Sequence, residues 1–421
     1  MRKCQVPDIV ISGVGVTSAV GQGKQAFTRA LMAGEHRFDV LRRPGRQWPL
    51  PGVIDGTEAT QETRFLGAEI AGLVLPEGLA GGHLRTASLS SQVAVATLHE
   101  AWQDARLDAA DPARIGLFVG GSNFQQRELV LAQAAAAKRF RFMRPTYGMS
   151  FMDSDLCGIC TELFGIRAFA STVGGASASG QLAVIEAIEA VQSGRVDTCI
   201  AIGAMMDLSC YELQAFRSLG AMGSERFAQA PALACRPFDQ ARDGFIFGES
   251  CGAVIVERLE VAQRRHAAPY ARLAGWSVQL EGNRNPNPSL EGELGVIRKS
   301  LARAGWTAAQ VDYVNPHGSG SVVGDETEME ALRLAGILGA FANTTKSITG
   351  HGLTAAGTVE IIATLLQMKE ALLHPSRNLQ EQIASPCELV REQAVAHRIA
   401  RAIKLSFGFG GINTALCMES I

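Results

Sequence analysis

A layered α/β fold, with sheets covered by helices on both faces, is the class this 421-residue chain predicts. Three observations carry it. Short apolar runs of about four to eight residues alternate with longer segments of helical period. Glycine is abundant, at 45 residues, and aromatics are scarce, at 6%, which suits many tight strand-to-helix turns. Hydrophobic residues make up 47% and charged residues 19%, enough for a large core and too apolar for a disordered chain.

Taken in order, 9–16 is a first buried strand, being β-branched and punctuated by glycine. Pro7 and Asp8 interrupt what precedes it, which argues against a signal peptide. Further apolar runs at 115–119, 166–173, 198–202, 252–256, 311–314 and 402–407 read as buried strands. Helical periodicity marks 90–104, 178–192, 290–304 and 354–372. In 178–192, Leu182, Ile185, Ile188 and Val191 recur every third residue, and Ser193-Gly194 stops the pattern. Few of its positions are charged, so it is expected to be central. Polar and basic residues at AQRRHAAPYA, 262–271, divide the chain into halves, 1–262 and 263–421. GNRNPNPSLEG, 282–292, is a loop by composition. No short tandem repeat is visible. Each half nevertheless sets polar residues after a strand: Ser177 in the first, His317 and His351 in the second.

The bulk properties exclude several functions. Net charge is −2 and no long basic block occurs, so no field favours nucleic acid. No apolar run reaches the ~20 residues needed to span a bilayer. Nine cysteines, at 4, 157, 160, 199, 210, 235, 251, 387 and 417, form no disulfide framework; reduced thiols and a cytoplasmic setting are expected. Cys157 and Cys160 make one CxxC, but no second ligand pair accompanies them. They read as ordinary helix cysteines, and no metal site is expected. Cys210, Cys235 and Cys251 read as packing residues.

Four local patterns could do chemistry: VGGASASG at 173–180, NPHGSGSVVGDETE at 315–328, KSITGHGLTAAG at 346–357 and SFGFGGIN at 406–413. Singly, each has a plain structural reading. Ser177 could cap its helix. A lone histidine is usually a hydrogen-bonded structural residue, and glycine-rich turns are usually just turns. GFGGIN has no P-loop lysine after it. The nucleophile elbow GxSxG fails by one residue at Ser179. Together they say more. His317 and His351 both sit beside glycine, where side chains enter clefts. A helix start with Gly175 and Ser177 offers N–H donors, and the FGFGG turn offers another. Two neutral imidazoles at one oxyanion site suit enolate chemistry next to a carbonyl.

The ordered set, with RPFDQARDGFIFGES at 236–250, resembles the β-ketoacyl synthases of the thiolase superfamily over nearly the whole chain. That resemblance implies a duplicated five-layer α/β/α/β/α fold and a homodimer. It implies a thioester substrate on the phosphopantetheine of an acyl carrier protein, and no further cofactor. It places the two family histidines at His317 and His351, the KxxxGH lysine at Lys346 and the gating phenylalanine at Phe409. Gly408, Gly410 and Gly175 fall at the substrate site.

The family's cysteine nucleophile falls at Ser177, and this departure directs the functional reading. A thiol near pKa 8.5 can be drawn into the working range by a helix N-terminus or a histidine. An alcohol needs a base placed on it. Condensation should therefore be lost or very slow, while the histidines can still stabilise the enolate of a decarboxylating malonyl thioester. The run GGASASG resembles the malonyl-carrier-protein decarboxylases of polyketide β-branching cassettes. Two alternatives stay open. One is a non-catalytic partner subunit like the chain-length factors. The other is an acyltransferase or condensing enzyme using Ser177 as nucleophile. KRFRFMR, 138–144, could meet an acidic carrier protein, but a solvated face or a dimer-contact strand is favoured. Glu360 reads as structural.

Overall fold

The computed structural model describes residues 8–54, 57–79 and 81–421. Two sets of five strands make the frame. The first comprises β1 (Ile9–Ser18), β2 (Ile115–Gly120), β3 (Phe169–Val173), β4 (Thr198–Gly203) and β5 (Ser250–Arg258). The second comprises β6 (Ala271–Leu280), β7 (Tyr313–Asn315), β8 (Phe341–Ala342), β9 (Arg401–Gly408) and β10 (Ile412–Ser420).

Their spatial orders are β3-β2-β4-β5-β1 and β8-β7-β9-β10-β6. Numbered within its own half, each set reads third, second, fourth, fifth, first. In both halves the second strand pairs parallel with the third and fourth. In both, the fifth runs antiparallel to the fourth and the first. The duplication is therefore topological, which is why no tandem repeat is visible in the sequence. The halves join where Val10 pairs with Arg272 and Ile11 with Ala271.

Six helices complete the layers: α1 (Leu89–Asp104), α2 (Ser154–Phe164), α3 (Ser179–Gln192), α4 (Leu290–Ala304), α5 (Val322–Ala335) and α6 (Ala356–Glu370). α1 and α2 cover the outer face of the first sheet, with Val93, Leu98 and Leu156 packed on Leu117, Ile200 and Ile255. α4 and α5 cover the outer face of the second, with Val296, Ile297 and Leu332 on Ile403 and Cys417. Between the sheets lie α3 and α6, whose Ile188, Val191, Ile362 and Leu365 share one core with Val254 and Leu416. On β5, Val254 and Val256 face this centre while Ile255 faces out, the period-two alternation of a strand covered on both sides. The result is the five-layer α/β/α/β/α sandwich, with α3 central as its low charge predicts.

Two glycines set how closely the central helices cross. A Cβ on Gly180 would lie 2.8 Å from the Thr354 carbonyl oxygen, and one on Gly357 would lie 2.4 Å from the Gln181 nitrogen. The close approach brings the two helix starts together. Each start is preceded by a 3₁₀ turn, Ala176–Ala178 before α3 and Leu353–Ala355 before α6. Each turn opens on a non-glycine residue in the left-handed region, Ala176 at φ 46° and Leu353 at φ 51°. Such conformations cost about 1–3 kcal/mol each and persist only where packing enforces them.

Several expectations change in detail. Helix α3 begins at Ser179, with Ala178 at its N-cap and no side-chain cap, so Ser177 is not a cap. The loop expected over 282–292 ends at Ser289, which caps α4 by accepting from the Gly292 N–H at 3.1 Å. The basic–apolar segment 138–144 is not a strand; it holds the 3₁₀ turn Phe140–Phe142, with both rings more than three-quarters exposed. Cys157 and Cys160 are buried in α2, and burial pushes the Cys157 thiol up to about 11 and that of Cys160 further. Cys210, Cys235 and Cys251 are also buried, while Cys4 lies outside the described residues. Among the described residues no cluster of His, Cys, Asp or Glu could hold a metal, and no helix is long and apolar enough to cross a membrane.

Candidate active site

The chemistry-bearing side chains gather at the carboxyl ends of β3, β7, β8 and β9, the edge at which open α/β sheets bind ligands. Ser177 follows β3 through Gly174-Gly175, and His317 lies two residues beyond β7. Lys346 opens the short helix Lys346–Thr349 after β8, and His351 follows it. Phe409 sits in the turn from β9 to β10. Ser177, His317, His351, Gly408 and Phe409 line one cavity of about 260 Å³. Lys346, Gly175 and Gly410 do not line it.

The two imidazoles meet edge to face, with centroids 5.5 Å apart. His351 Nδ1 accepts the Leu353 N–H at 3.1 Å, so its single proton is assigned to Nε2. The left-handed Leu353 aims that N–H, which gives its strained backbone a local purpose. His317 Nδ1 faces the Phe407 N–H in the same sense, at a weaker 3.5 Å. Both rings are held well below the usual imidazole range. Burial is the main cause, followed by the Lys346 charge, with Lys404 adding to it. Each is therefore neutral and presents an Nε2–H donor on the side away from its backbone bond. A ring protonated there cannot also serve as a base. Among the described residues the Ser177 hydroxyl makes no hydrogen bond.

Lys346 acts behind the rings. Its Nζ donates to the His317 carbonyl and to Glu360 Oε1. Lys404 Nζ lies 2.9 Å from Glu360 Oε2, an ionic contact without hydrogen-bond alignment. Glu360 thus sits between two buried lysines. Burial lowers Lys404 to about 8 although Glu360 opposes the shift. The His317 loop is pinned from α5. Glu328 accepts the N–H groups of His317 and Gly318 at 2.6 and 2.8 Å. Asp325 accepts those of Ser319 and Gly320 at 3.1 and 3.0 Å, and that of Phe238 at 2.7 Å. Burial raises Asp325 to about 6 and Glu328 to about 7 despite those donors.

One donor expected at the site is engaged elsewhere. The Gly175 N–H is donated to Ser179 Oγ at 2.9 Å, and the Gly175 carbonyl accepts from Ala178. Gly175 instead sits behind the site against the other glycine turn. A Cβ on Gly408 would lie 2.2 Å from the Gly175 oxygen, so the Phe409 turn can reach Ser177 only without a side chain at 408. Phe409 is 37% exposed, with its ring 6.4 Å from Phe216 across the cavity. Gly410 lies outside the lining in a left-handed turn at φ 87°.

Sequence reading missed four buried ionisable groups. Lys404 interrupts the apolar strand AIKLSF, a visible signal. Asp325 and Glu328 lie three apart on one helix face, where the pattern GDETEME looks like solvated charge. Glu293 lines the cavity from α4 and is 1% exposed.

The comparisons agree with this geometry. "Beta-ketoacyl synthase, N-terminal domain" matches residues 7–262, and "Beta-ketoacyl synthase, C-terminal domain" matches 270–380. The polyketide biosynthesis malonyl-ACP decarboxylase PksF of Bacillus subtilis (strain 168) is 57% identical over 421 residues, covering 100% of this chain and 98% of that protein. A putative mitochondrial 3-oxoacyl-[acyl-carrier-protein] synthase of Schizosaccharomyces pombe is 28% identical over 98% of each chain. A crystal structure of a β-ketoacyl synthase from Burkholderia phymatum STM815 superposes with a TM-score of 0.86 at 25% identity, covering 99% of this chain and 100% of that one. A twice-repeated strand order, paired histidines at the strand ends and full-length matches of this kind identify the protein: it belongs to the β-ketoacyl synthase family.

Proposed function

We propose that this protein is a ketosynthase-like decarboxylase that converts malonyl-acyl carrier protein to acetyl-acyl carrier protein and CO2 in polyketide biosynthesis, serving β-branching, without condensation. One observation carries the reading: both imidazoles offer an Nε2–H to the cavity, and the residue beside them is a serine without a base. The 57% identity to a malonyl-ACP decarboxylase supports it.

The chemistry follows from the donors. The malonyl thioester enters with its carbonyl oxygen toward the Nε2–H groups of His317 and His351. As the bond to the carboxylate breaks, its electron pair becomes the enolate and CO2 leaves. Negative charge grows on the carbonyl oxygen, where fixed donors are each worth about 3–4 kcal/mol of barrier. Solvent water then gives a proton to the enolate carbon, the hydroxide left behind passes to the bulk, and the acetyl thioester is released. Lys346 holds the His317 backbone and adds positive charge behind the rings. Phe409 limits water, and Gly408 lets its turn approach. The substrate arrives on phosphopantetheine, and the reaction needs no further cofactor.

The same reading divides the chain at 262/263, in keeping with the repeated strand order. It makes the protein a cytoplasmic homodimer joined along β3, an outer strand with exposed side chains that ends at Val173, four residues before Ser177.

The test is to incubate the protein with malonyl-loaded carrier protein and follow intact masses. Acetyl-carrier without an acyl group on the enzyme supports the proposal. An acyl adduct on Ser177 would support the nucleophile alternative, and unchanged masses the scaffold. The pH profile adds a check. Because both imidazoles are held below 6.5, their neutral donor forms persist below that pH. The rate of CO2 release, measured with malonyl-carrier in excess, should therefore not fall near pH 6.5 on acidification. Because Asp325 and Glu328 titrate at about 6 and about 7, a decline centred there would show imidazoles of ordinary basicity only if it persists in Asp325→Asn and Glu328→Gln.

A further inference from the structure

One side chain in the cavity has no purpose in the chemistry above. Glu293, in the first turn of α4, is 1% exposed and lines the cavity, yet its Oε2 has no hydrogen-bond partner. A buried polar atom left unpaired disfavours folding and calls for an explanation. The charged groups that act on it are acidic: Glu328 and Asp325 on α5, and Glu281 just after β6. Burial and these three carboxylates push Glu293 well above the usual carboxyl range. That shift favours the protonated carboxyl, whose O–H would be a donor in a wall otherwise rich in acceptors.

The cavity has two characters. Met206, Phe216 and Phe245 form apolar walls, while Glu281, Glu293, Ser319 and Asn413 form a polar one. Exposed loop residues next to Ser289 border the polar wall, which marks it as the mouth side. A substrate tethered through phosphopantetheine must thread its amide groups past that wall. Resting on the decarboxylase reading, we propose that Glu293, with its unpaired Oε2 in the cavity wall, is a binding residue that hydrogen-bonds an amide group of the thioester arm. This gives the unpaired oxygen a partner that arrives with the substrate. It also selects amide-bearing thioesters over plain alkyl ones.

The experiment compares malonyl-pantetheine with the S-ethyl malonyl thioester, which lacks amides, on wild type, Glu293→Ala and Glu293→Gln. Affinity for acetyl-pantetheine is measured calorimetrically alongside. One neutral hydrogen bond predicts that Glu293→Ala raises KM for malonyl-pantetheine about 3- to 10-fold, with kcat little changed. The S-ethyl substrate should show no such rise, and Glu293→Gln, which keeps a donor, should recover most of the loss. Neither substitution should lower the melting temperature. If Glu293→Ala matches wild type on both substrates while CO2 is released, this inference falls alone. If wild type releases no CO2, the decarboxylase reading falls, and the acetyl-pantetheine affinities still decide the role of Glu293: equal affinities overturn it.

Discussion

Replacing His351 with alanine is expected to slow CO2 release by about 10²- to 10³-fold, with little change in KM. The reason is positional. The Leu353 N–H fixes the His351 proton on Nε2, and the ring packs edge-on to Phe245 at 5.2 Å, so the donor is already oriented before substrate arrives. An alanine leaves space that water can enter, but water must reorient as charge develops. His317→Ala should behave alike. The double variant should lose less than the product of the single losses, because both donors serve one oxygen. Steady-state CO2 release on malonyl-carrier measures all three. A rate within about threefold of wild type for either single variant would remove that ring from the mechanism.

Lys346→Met is expected to cost about 3–5 kcal/mol of stability as well as activity. Lys346, Glu360 and Lys404 are each no more than 2% exposed. Deleting one cation leaves the Glu360 carboxylate with only the misaligned Lys404, and frees the His317 carbonyl that Lys346 ties down. Breaking a buried pair from one side is costly because the remaining charge stays desolvated. Adding Glu360→Gln removes that charge. Lys404, already lowered to about 8, can then lose its proton. The double variant should regain part of the stability, with a coupling of about 0.5–3 kcal/mol by urea unfolding. Activity should not return with it, since the His317 carbonyl still lacks Lys346. Additive losses would mean that Lys346 and Glu360 do not act as a unit.

These expectations also mark where sequence was informative. Periodicity and low charge placed α3 at the centre, because a helix between two sheets must be apolar all round. The glycine-flanked histidines pointed to a cleft, since strand ends followed by tight turns are where side chains leave the core. Buried charge was harder to see. Glu328 and Asp325 look like solvated helix charge, and only the fold shows them accepting the N–H groups of 317–320. The Gly175 donor was misread for a related reason: whether an N–H is free depends on Ser179, four residues on, turning its hydroxyl back. Glu293 gave no signal, being one glutamate in an ordinary helical pattern.

The central claim is that oxygen at position 177 blocks carbon–carbon bond formation while the imidazole pair still expels CO2. The most direct measurement offers wild type and Ser177→Cys both an acyl-loaded and a malonyl-loaded carrier, and follows enzyme and carrier masses together. The account predicts acetyl-carrier from wild type with no enzyme adduct, and an acyl adduct at position 177 only in the variant. A stable acyl ester on wild-type Ser177 during turnover, or a condensed product from wild type, would contradict it.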